Sequence, residues 1–464
     1  VSDPAWMGVA EIGKAYADKT LSPVELVQAL FARIDRLDPQ INAFILPDRE
    51  AALAAARQAE AEIMAGRSRG PLHGIPVGVK DIIDVAGLPT TCHSKILAGN
   101  IAAADAHVVA LLRRAGAIVM GKLSTWEFAI GGPSFDLPSP PARNPWNPAH
   151  HPGGSSSGSG AGLAAGMFPL ALGTDTGGSV RNPASACGIV GLKPTYGLVS
   201  RRGVFPLSFT MDHVGPMART AADAAAMLAI IAGYDPADPG SVAGPVQPVT
   251  GLDRGVKGLR VGYVRSFHES DMIADPEVAA GLDGVAAALA GQGADIRTVT
   301  LPHLREFIAV NRTIQYCEAF AIHGKWLRER PGDYATATRQ RLMTGAFIGG
   351  ADYVQAQRHR LALITAVNTV FQDVDVLLCA SAMDPACVID DQDAIGHTFS
   401  RQARMPFNVT GHPALAMMSG LSQSGLPLSV QFVGPAYADA RLLQVAAAYE
   451  QIAPWRDMRP SLAA

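Results

Sequence analysis

GGSSSGSGAGLAAGMFPLALGTDTGGSVRNPASACGIVGLKPT, residues 153–195, is the stretch on which the reading of this chain turns. Its first half admits several readings. Gly154–Gly158 formally matches the G-x-S-x-G nucleophile elbow, with Ser156 as nucleophile. That elbow needs a strand immediately before it, and here Pro145, Pro148, His150, His151 and Pro152 stand in front. Gly160–Ala165 formally matches a dinucleotide fingerprint and lacks the same preceding strand. A phosphate loop is excluded, since no Gly-Lys-Ser/Thr follows. The plain alternative is a Pro-, Gly- and Ser-rich surface loop over Asn144–Gly162.

The second half lifts the segment above an ordinary loop. Twenty-four positions after Ser155 comes Ser179, in the turn Gly173-Thr174-Asp175-Thr176-Gly177-Gly178-Ser179-Val180-Arg181. Two glycines before a serine let successive main-chain N–H groups converge on one point, which is how a backbone oxyanion hole is built. Asp175 and Arg181 flank small residues, as a hydrogen-bonded network holding the turn rigid would require. Arg181 is thus read as a structural partner in preference to an anion binder, and Asp175 as an orienting group.

A hydroxyl nucleophile needs a base. Upstream, Gly74-Ile75-Pro76-Val77-Gly78-Val79-Lys80-Asp81 ends an apolar strand on Lys80. A lysine titrates near 10.4 in water, and burial lowers that by ~3 units or more, enough for a neutral amine near pH 7. The competing reading is a surface pair with Asp81 or Asp84.

Around these segments, helices alternate with short apolar runs. Ser22-Pro23-Val24-Glu25 combines a capping serine, proline at the first helical position and glutamate three residues after the cap. Val27, Leu30, Phe31 and Ile34 then share one face. A second helix is expected over about Arg49–Ala65, ending at Gly66. Ile75–Val79 and Ala117–Met120 read as strands, and Asp105 as the cap of a helix carrying Val108, Val109 and Leu112. The alternation implies an α/β layered fold. Gly233–Gly258 has a linker's composition. Leu259–Val264 resumes as a strand, about Leu304–Val370 is helical, Val374–Leu378, Ala414–Met418 and Leu428–Val433 read as strands, and about Asp439–Gln451 as a helix.

Composition excludes several classes. A net charge of −3 over 464 residues, with no basic run, argues against nucleic-acid binding. Apolar segments such as Gly162–Leu172 fall far short of the ~18–20 residues that span a bilayer, and no signal peptide is legible in VSDPAWMGVAEIGKAYADK. Five scattered cysteines read as reduced thiols in a cytoplasm. His150-His151 is not a metal pair, because adjacent residues do not converge on one ion. Tyr316, Phe320, Trp326 and Phe347 are candidates for pocket aromatics, with plain core packing as the alternative.

The 153–195 segment resembles the signature of the amidase signature family. So do the upstream GIPVGVKDIIDVAG and DAHVVALLRRAGAIVMGKLSTWEFA, and the downstream GLVSRRGVFPLSFTMDHVGPMARTAADAA and LPLSVQFVGPAYADARLLQVAAAYE. The resemblance implies one large α/β domain over residues 1–464, with a mixed, mostly parallel central sheet covered by helices on both faces. Its signature core spans about 70–220 and a variable pocket region about 264–373. It further implies a triad: Ser179 as nucleophile, Ser155 as a bridging serine on a cis peptide bond, and Lys80 as base. Thr176, Gly177, Gly178 and Ser179 supply the implied oxyanion N–H groups, with Asp175 and Arg181 supporting. No metal or organic cofactor has a role. Ser124, His93 and Cys379-Ala380-Ser381 depart from the family pattern, which bears on the substrate pocket and leaves the triad intact.

The expected activity is hydrolysis of amide-type C–N bonds in a small molecule, with carbamates (urethanes) and esters within reach of the same steps. No nucleic-acid or membrane partner is expected, and a homodimer is left open. Two rivals stand beside this. One is the glutamine-hydrolysing subunit of a tRNA-dependent amidotransferase, from whose pattern Met405-Pro406-Phe407-Asn408 departs. The other is a non-catalytic binding homologue, which would have no need of Ser155 and Lys80 together.

Overall fold

The computed structural model describes residues 3–246, 249–455 and 457–463. Val1 and Ser2 of the amino-terminal reading, and residues 247–248 of the 233–258 segment, lie outside the described residues.

The amino-terminal signals act as their chemistry dictates. Ser22 caps the helix Pro23–Ile41: its Oγ accepts from Glu25 N–H at 3.2 Å, while Glu25 Oε2 accepts from Ser22 N–H at 2.8 Å. Val27, Leu30, Phe31 and Ile34 are buried on its inner face. The second helix runs Arg49–Met64 and gives way to Gly66 at φ +74°. Asp105 is the exception. The helix His107–Arg114 is capped by Ala106, and Asp105 instead accepts from Ala86 N–H at 2.8 Å.

Among the described residues, eleven strands form one sheet: β1 Phe44–Pro47, β2 Pro76–Lys80, β3 Ile118–Leu123, β4 Leu170–Asp175, β5 Val190–Lys193, β6 His213–Ala218, β7 Arg260–Tyr263, β8 Asp295–Thr298, β9 Val376–Ala380, β10 Ala414–Leu421 and β11 Pro427–Val433. Their order is β1-β3-β2-β4-β6-β5-β10-β11-β9-β7-β8. The α/β class and the mixed sheet are as expected, but the balance of pairings is corrected. Only β2–β3, β2–β4, β7–β8 and β7–β9 are parallel, and the other six pairings are antiparallel. β10 and β11 are antiparallel because they form a hairpin, a connection too short for the crossover that parallel neighbours need. One sheet runs through both halves of the chain, so residues 233–246 and 249–258 belong to an excursion within a single domain.

Helices flank this sheet. Ser157–Ala164 packs on Arg181–Cys187, which in turn lies against β10 and β11, while Ala221–Ile231 packs on Asp439–Glu450. The expected helical region resolves into Leu304–Glu329, Thr336–Thr344 and Gly350–Val370. No helix among the described residues is long and apolar enough to cross a membrane.

The Gly/Ser run is only partly a loop. From Ser157 it becomes a helix with every residue buried, and its small side chains are what let neighbouring backbone come close. A Cβ on Gly158 would collide with the Ala43 carbonyl oxygen and lie 2.6 Å from Ser124 N. Gly158→Ala is therefore expected to destabilise the fold by about 1–3 kcal/mol, read as a lower midpoint in urea denaturation. An unchanged midpoint would contradict this packing.

Candidate active site

β2 and β4 are parallel neighbours with Val79 opposite Leu172, so their carboxyl-terminal ends bring Lys80 beside Thr174. Lys80 has no solvent exposure. Its Nζ donates to Ser155 Oγ at 2.7 Å and to Thr174 Oγ1 at 2.8 Å. Burial pushes its pKa down to about 7, against the pull of the Asp175 and Asp212 carboxylates and Cys92. The competing surface pair is not formed. Asp81 pairs at 2.8 Å with another buried lysine, Lys122.

Ser155 follows a cis peptide bond from Gly154. Gly154 lies flat on the Trp126 indole, where a Cβ would overlap the ring. Trp126 N–H also donates to Ser155 O at 3.1 Å. Ser156, the formal elbow serine, is a brace to β4: Thr174 N–H donates to its Oγ at 3.2 Å, and that hydroxyl donates to Thr174 O at 3.3 Å. Ser156 N–H donates to Ser179 O at 3.3 Å, tying the two Gly/Ser turns together.

The second turn is organised by Asp175. Its Oδ1 accepts from Gly178 N–H at 2.8 Å and its Oδ2 from Val180 N–H at 3.1 Å. The Arg181 guanidinium grips the same carboxylate, at 2.8 Å from Nη2 and 3.0 Å from Nε, and Asn408 Nδ2 adds a bond at 2.8 Å. Burial alone would raise the Asp175 pKa; Arg181, Asn408 and Lys193 outweigh it and hold the carboxyl well below the usual range. Arg181 is itself sealed from solvent, donating also to Asn408 Oδ1, Gln431 Oε1 and the Arg404 carbonyl at 2.6–2.8 Å. It has the structural bonds expected of it.

Gly178 departs from the expectation. At φ +125° it turns its N–H onto Asp175, so Thr176, Gly177 and Ser179 remain as the candidate oxyanion donors. Ser179 is half-buried. Among the described residues no hydrogen bond joins its Oγ to Ser155 Oγ. Catalytic contacts of this kind commonly tighten only with substrate bound.

A cavity of about 360 Å³ opens beside Thr174 and Thr176, bounded by Tyr196, Arg201, Phe205 and Asp212. Asp212 accepts from Thr176 Oγ1 at 2.5 Å, and burial raises its pKa to about 6. The four candidate aromatics do not line this cavity. Phe347 is 85% exposed, and Trp326 stacks on Phe128 and Phe205 behind the cavity wall. His151 is buried, its Nδ1 accepting from Gly153 N–H at 2.9 Å. Of the departures, Ser381 accepts from Ser185 Oγ at 2.8 Å, and the His93 ring bonds the Thr125 and Ser139 carbonyls. Thr174, Asn408 and Gln431 were not foreseen. Thr174 lies inside the second glycine turn, but only the β2–β4 register shows it facing Lys80.

The amidase family model, described simply as Amidase, matches residues 25–443. The chain belongs to the amidase family. Its relatives carry more than one name. It is 37% identical, over 99% of both chains, to a glutamyl-tRNA(Gln) amidotransferase subunit of Chloroflexus aggregans. Its fold superposes with a TM-score of 0.90 on a chain of a vestigial protein complex tied to the origins of an s-triazine catabolic enzyme, at 32% identity and covering 96% of this chain and 98% of that one. The native peptide amidase of Stenotrophomonas maltophilia gives a TM-score of 0.85 at 31% identity, with 98% of each chain covered.

Asp175→Asn would leave the buried Arg181 charge without its partner. A loss of about 3–5 kcal/mol in stability is expected, read by chemical denaturation. A loss under about 1 kcal/mol would mean that the pair does not hold the turn.

Proposed function

We propose that this amidase-family enzyme hydrolyses amide-type C–N bonds through an acyl-enzyme on Ser179. The observation that carries the reading is the 2.7 Å contact between Lys80 Nζ and Ser155 Oγ, made by a lysine whose pKa burial brings down to about 7. The ammonium donates to both hydroxyls; in the neutral amine one N–H stays on Thr174 Oγ1 and the lone pair turns to Ser155, so that the Ser155 hydroxyl becomes the donor of that bond. Ser155 passes its proton to Lys80 and takes one from Ser179 as Ser179 Oγ adds to the carbonyl carbon. The N–H groups of Thr176, Gly177 and Ser179 face the developing oxyanion. The relay then runs backward, protonating the leaving nitrogen as the C–N bond breaks. Water adds to the acyl-enzyme in a second round, with the same groups as base and acid. Nothing in this sequence of steps calls on a metal or organic cofactor.

Two readings of the substrate remain. The glutamyl-tRNA(Gln) amidotransferase name borne by highly similar relatives favours a glutamine side-chain amide, with a partner protein to receive the ammonia. This has more support than the stand-alone reading preferred from sequence. Similarity to a peptide amidase supports the latter, an enzyme acting alone on small amides and, by the same acyl chemistry, on carbamates.

The test is release of nitroaniline or nitrophenol from aryl amides and aryl carbamates, and of ammonia from glutamine, by the purified chain. Ser179→Ala is expected to abolish whichever activity is present, and Lys80→Met to lower it by about 10²–10⁴-fold. Activity that survives Ser179→Ala sinks the mechanism. Ammonia from glutamine without aryl amide turnover selects the amidotransferase reading, and the converse selects the stand-alone enzyme.

The pH profile gives a second check. The base works only when neutral, so with a folded-state pKa of about 7, kcat/KM is expected to rise with pH through about 7. Below that it falls about tenfold per unit. A flat profile between pH 5 and 8 would remove Lys80 from the base role.

A further inference from the structure

Gly177 is half-buried, with room beside it for a methyl group. A methyl group built on it would meet nothing nearer than Asn311 Oδ1 at 3.6 Å, with Gln315 Oε1 and Met405 Cε at 3.7 Å. Asn311 and Gln315 stand four residues apart on the helix Leu304–Glu329, hence on one face of it. Two amide side chains thus border the turn that leads into Ser179.

Asn311 is wholly buried, and half of its amide is accounted for. Its Nδ2 donates to Thr176 O at 3.2 Å, with Met211 Sδ at 3.5 Å. That bond fixes which way the amide faces, because the reverse orientation would set Oδ1 against another carbonyl oxygen. Oδ1 is left buried, on the Gly177 side, with no hydrogen bond. A buried carbonyl without a donor is costly and uncommon in folded proteins. Here the missing donor would sit next to the proposed oxyanion donors, where a bound substrate brings the groups attached to its carbonyl.

Resting on the acyl-transfer reading above, we propose that Asn311 is a specificity-determining residue whose Oδ1 accepts a hydrogen bond from a substrate N–H close to the scissile carbonyl. The substrate class is then amides, ureas or carbamates that keep an N–H there, in preference to fully N-substituted counterparts. Discrimination of this kind is strong because the analogue lacking the N–H leaves the buried oxygen unpaired a second time.

The experiment is calorimetric binding of benzamide and of N,N-dimethylbenzamide to the full chain carrying Ser179→Ala, with Asn311 intact and with Asn311→Leu. With Asn311 intact, benzamide is expected to bind tighter. Asn311→Leu should weaken benzamide by about tenfold and change the dimethyl compound by less than about twofold. Loss of the Thr176 contact would act on both ligands alike, so an equal change in both overturns the proposal. Unchanged benzamide binding, or no binding with Asn311 intact, overturns it too. If Asn311→Leu does not fold, Asn311→Ala removes the acceptor in the same comparison. These arms need no turnover, so failure of the chain to release product from any substrate would count against the hydrolase reading alone and leave the Asn311 result standing.

Discussion

A carboxylate shut away from water has to be satisfied entirely by protein donors, and Asp175 is where this molecule concentrates that requirement. Its oxygens collect backbone N–H groups from the Gly178–Val180 turn, the Arg181 guanidinium and the Asn408 amide. Each donor reaches it from a different direction, so the turn has little freedom left. The same negative charge pulls the Lys80 pKa upward while burial pulls it down, and the balance falls at about 7. One buried ion thus bears both on the rigidity of the turn and on the protonation of the lysine, whose pKa is lowered first by its own burial.

The labour is divided along the chain. The proposed reactive groups, Lys80, Ser155 and Ser179, all come from residues before 180. Side chains that brace the turn leading into Ser179, Asn311 on Thr176, Asn408 on Asp175 and Gln431 on Arg181, come from the helix Leu304–Glu329, the short helix Met405–Val409 and β11. Thr174 and Thr176 line the cavity next to the candidate chemistry, while Asn311, Gln315 and Met405 border the turn at Gly177.

What could be read from sequence was local in its physics. Ser22, Pro23 and Glu25 announce a helix start within four residues, and the two Gly/Ser turns announce backbone approach wherever they stand. Lys80 at the end of an apolar run pointed to a buried amine. The misreadings share a cause, which is that they depended on partners remote in sequence. The end of the Asn144–Gly162 stretch looked like loop because small residues signal flexibility when exposed, yet from Ser157 on it is helix and Gly158 permits contact with Ala43 and Ser124. Gly178 looked like a free donor until Asp175 claimed it. The balance of parallel and antiparallel pairing hinged on where β10 and β11 insert, and no residue in either strand encodes that. Asn408 carries no local motif at all; its role exists only because Arg181 and Asp175 are buried beside it.

The place of β10 and β11 in the sheet bears on how the protein is made. They lie between β5 and β9 although nearly all of the chain precedes them. On a ribosome, the serines and the lysine emerge long before the strands that fill the middle of the sheet. Until those strands dock, β5 and β9 present open edges, and Arg181 lacks Gln431 and Asn408. A nascent chain thus carries the proposed reactive groups without the Gln431 brace until β11 has been made and docked.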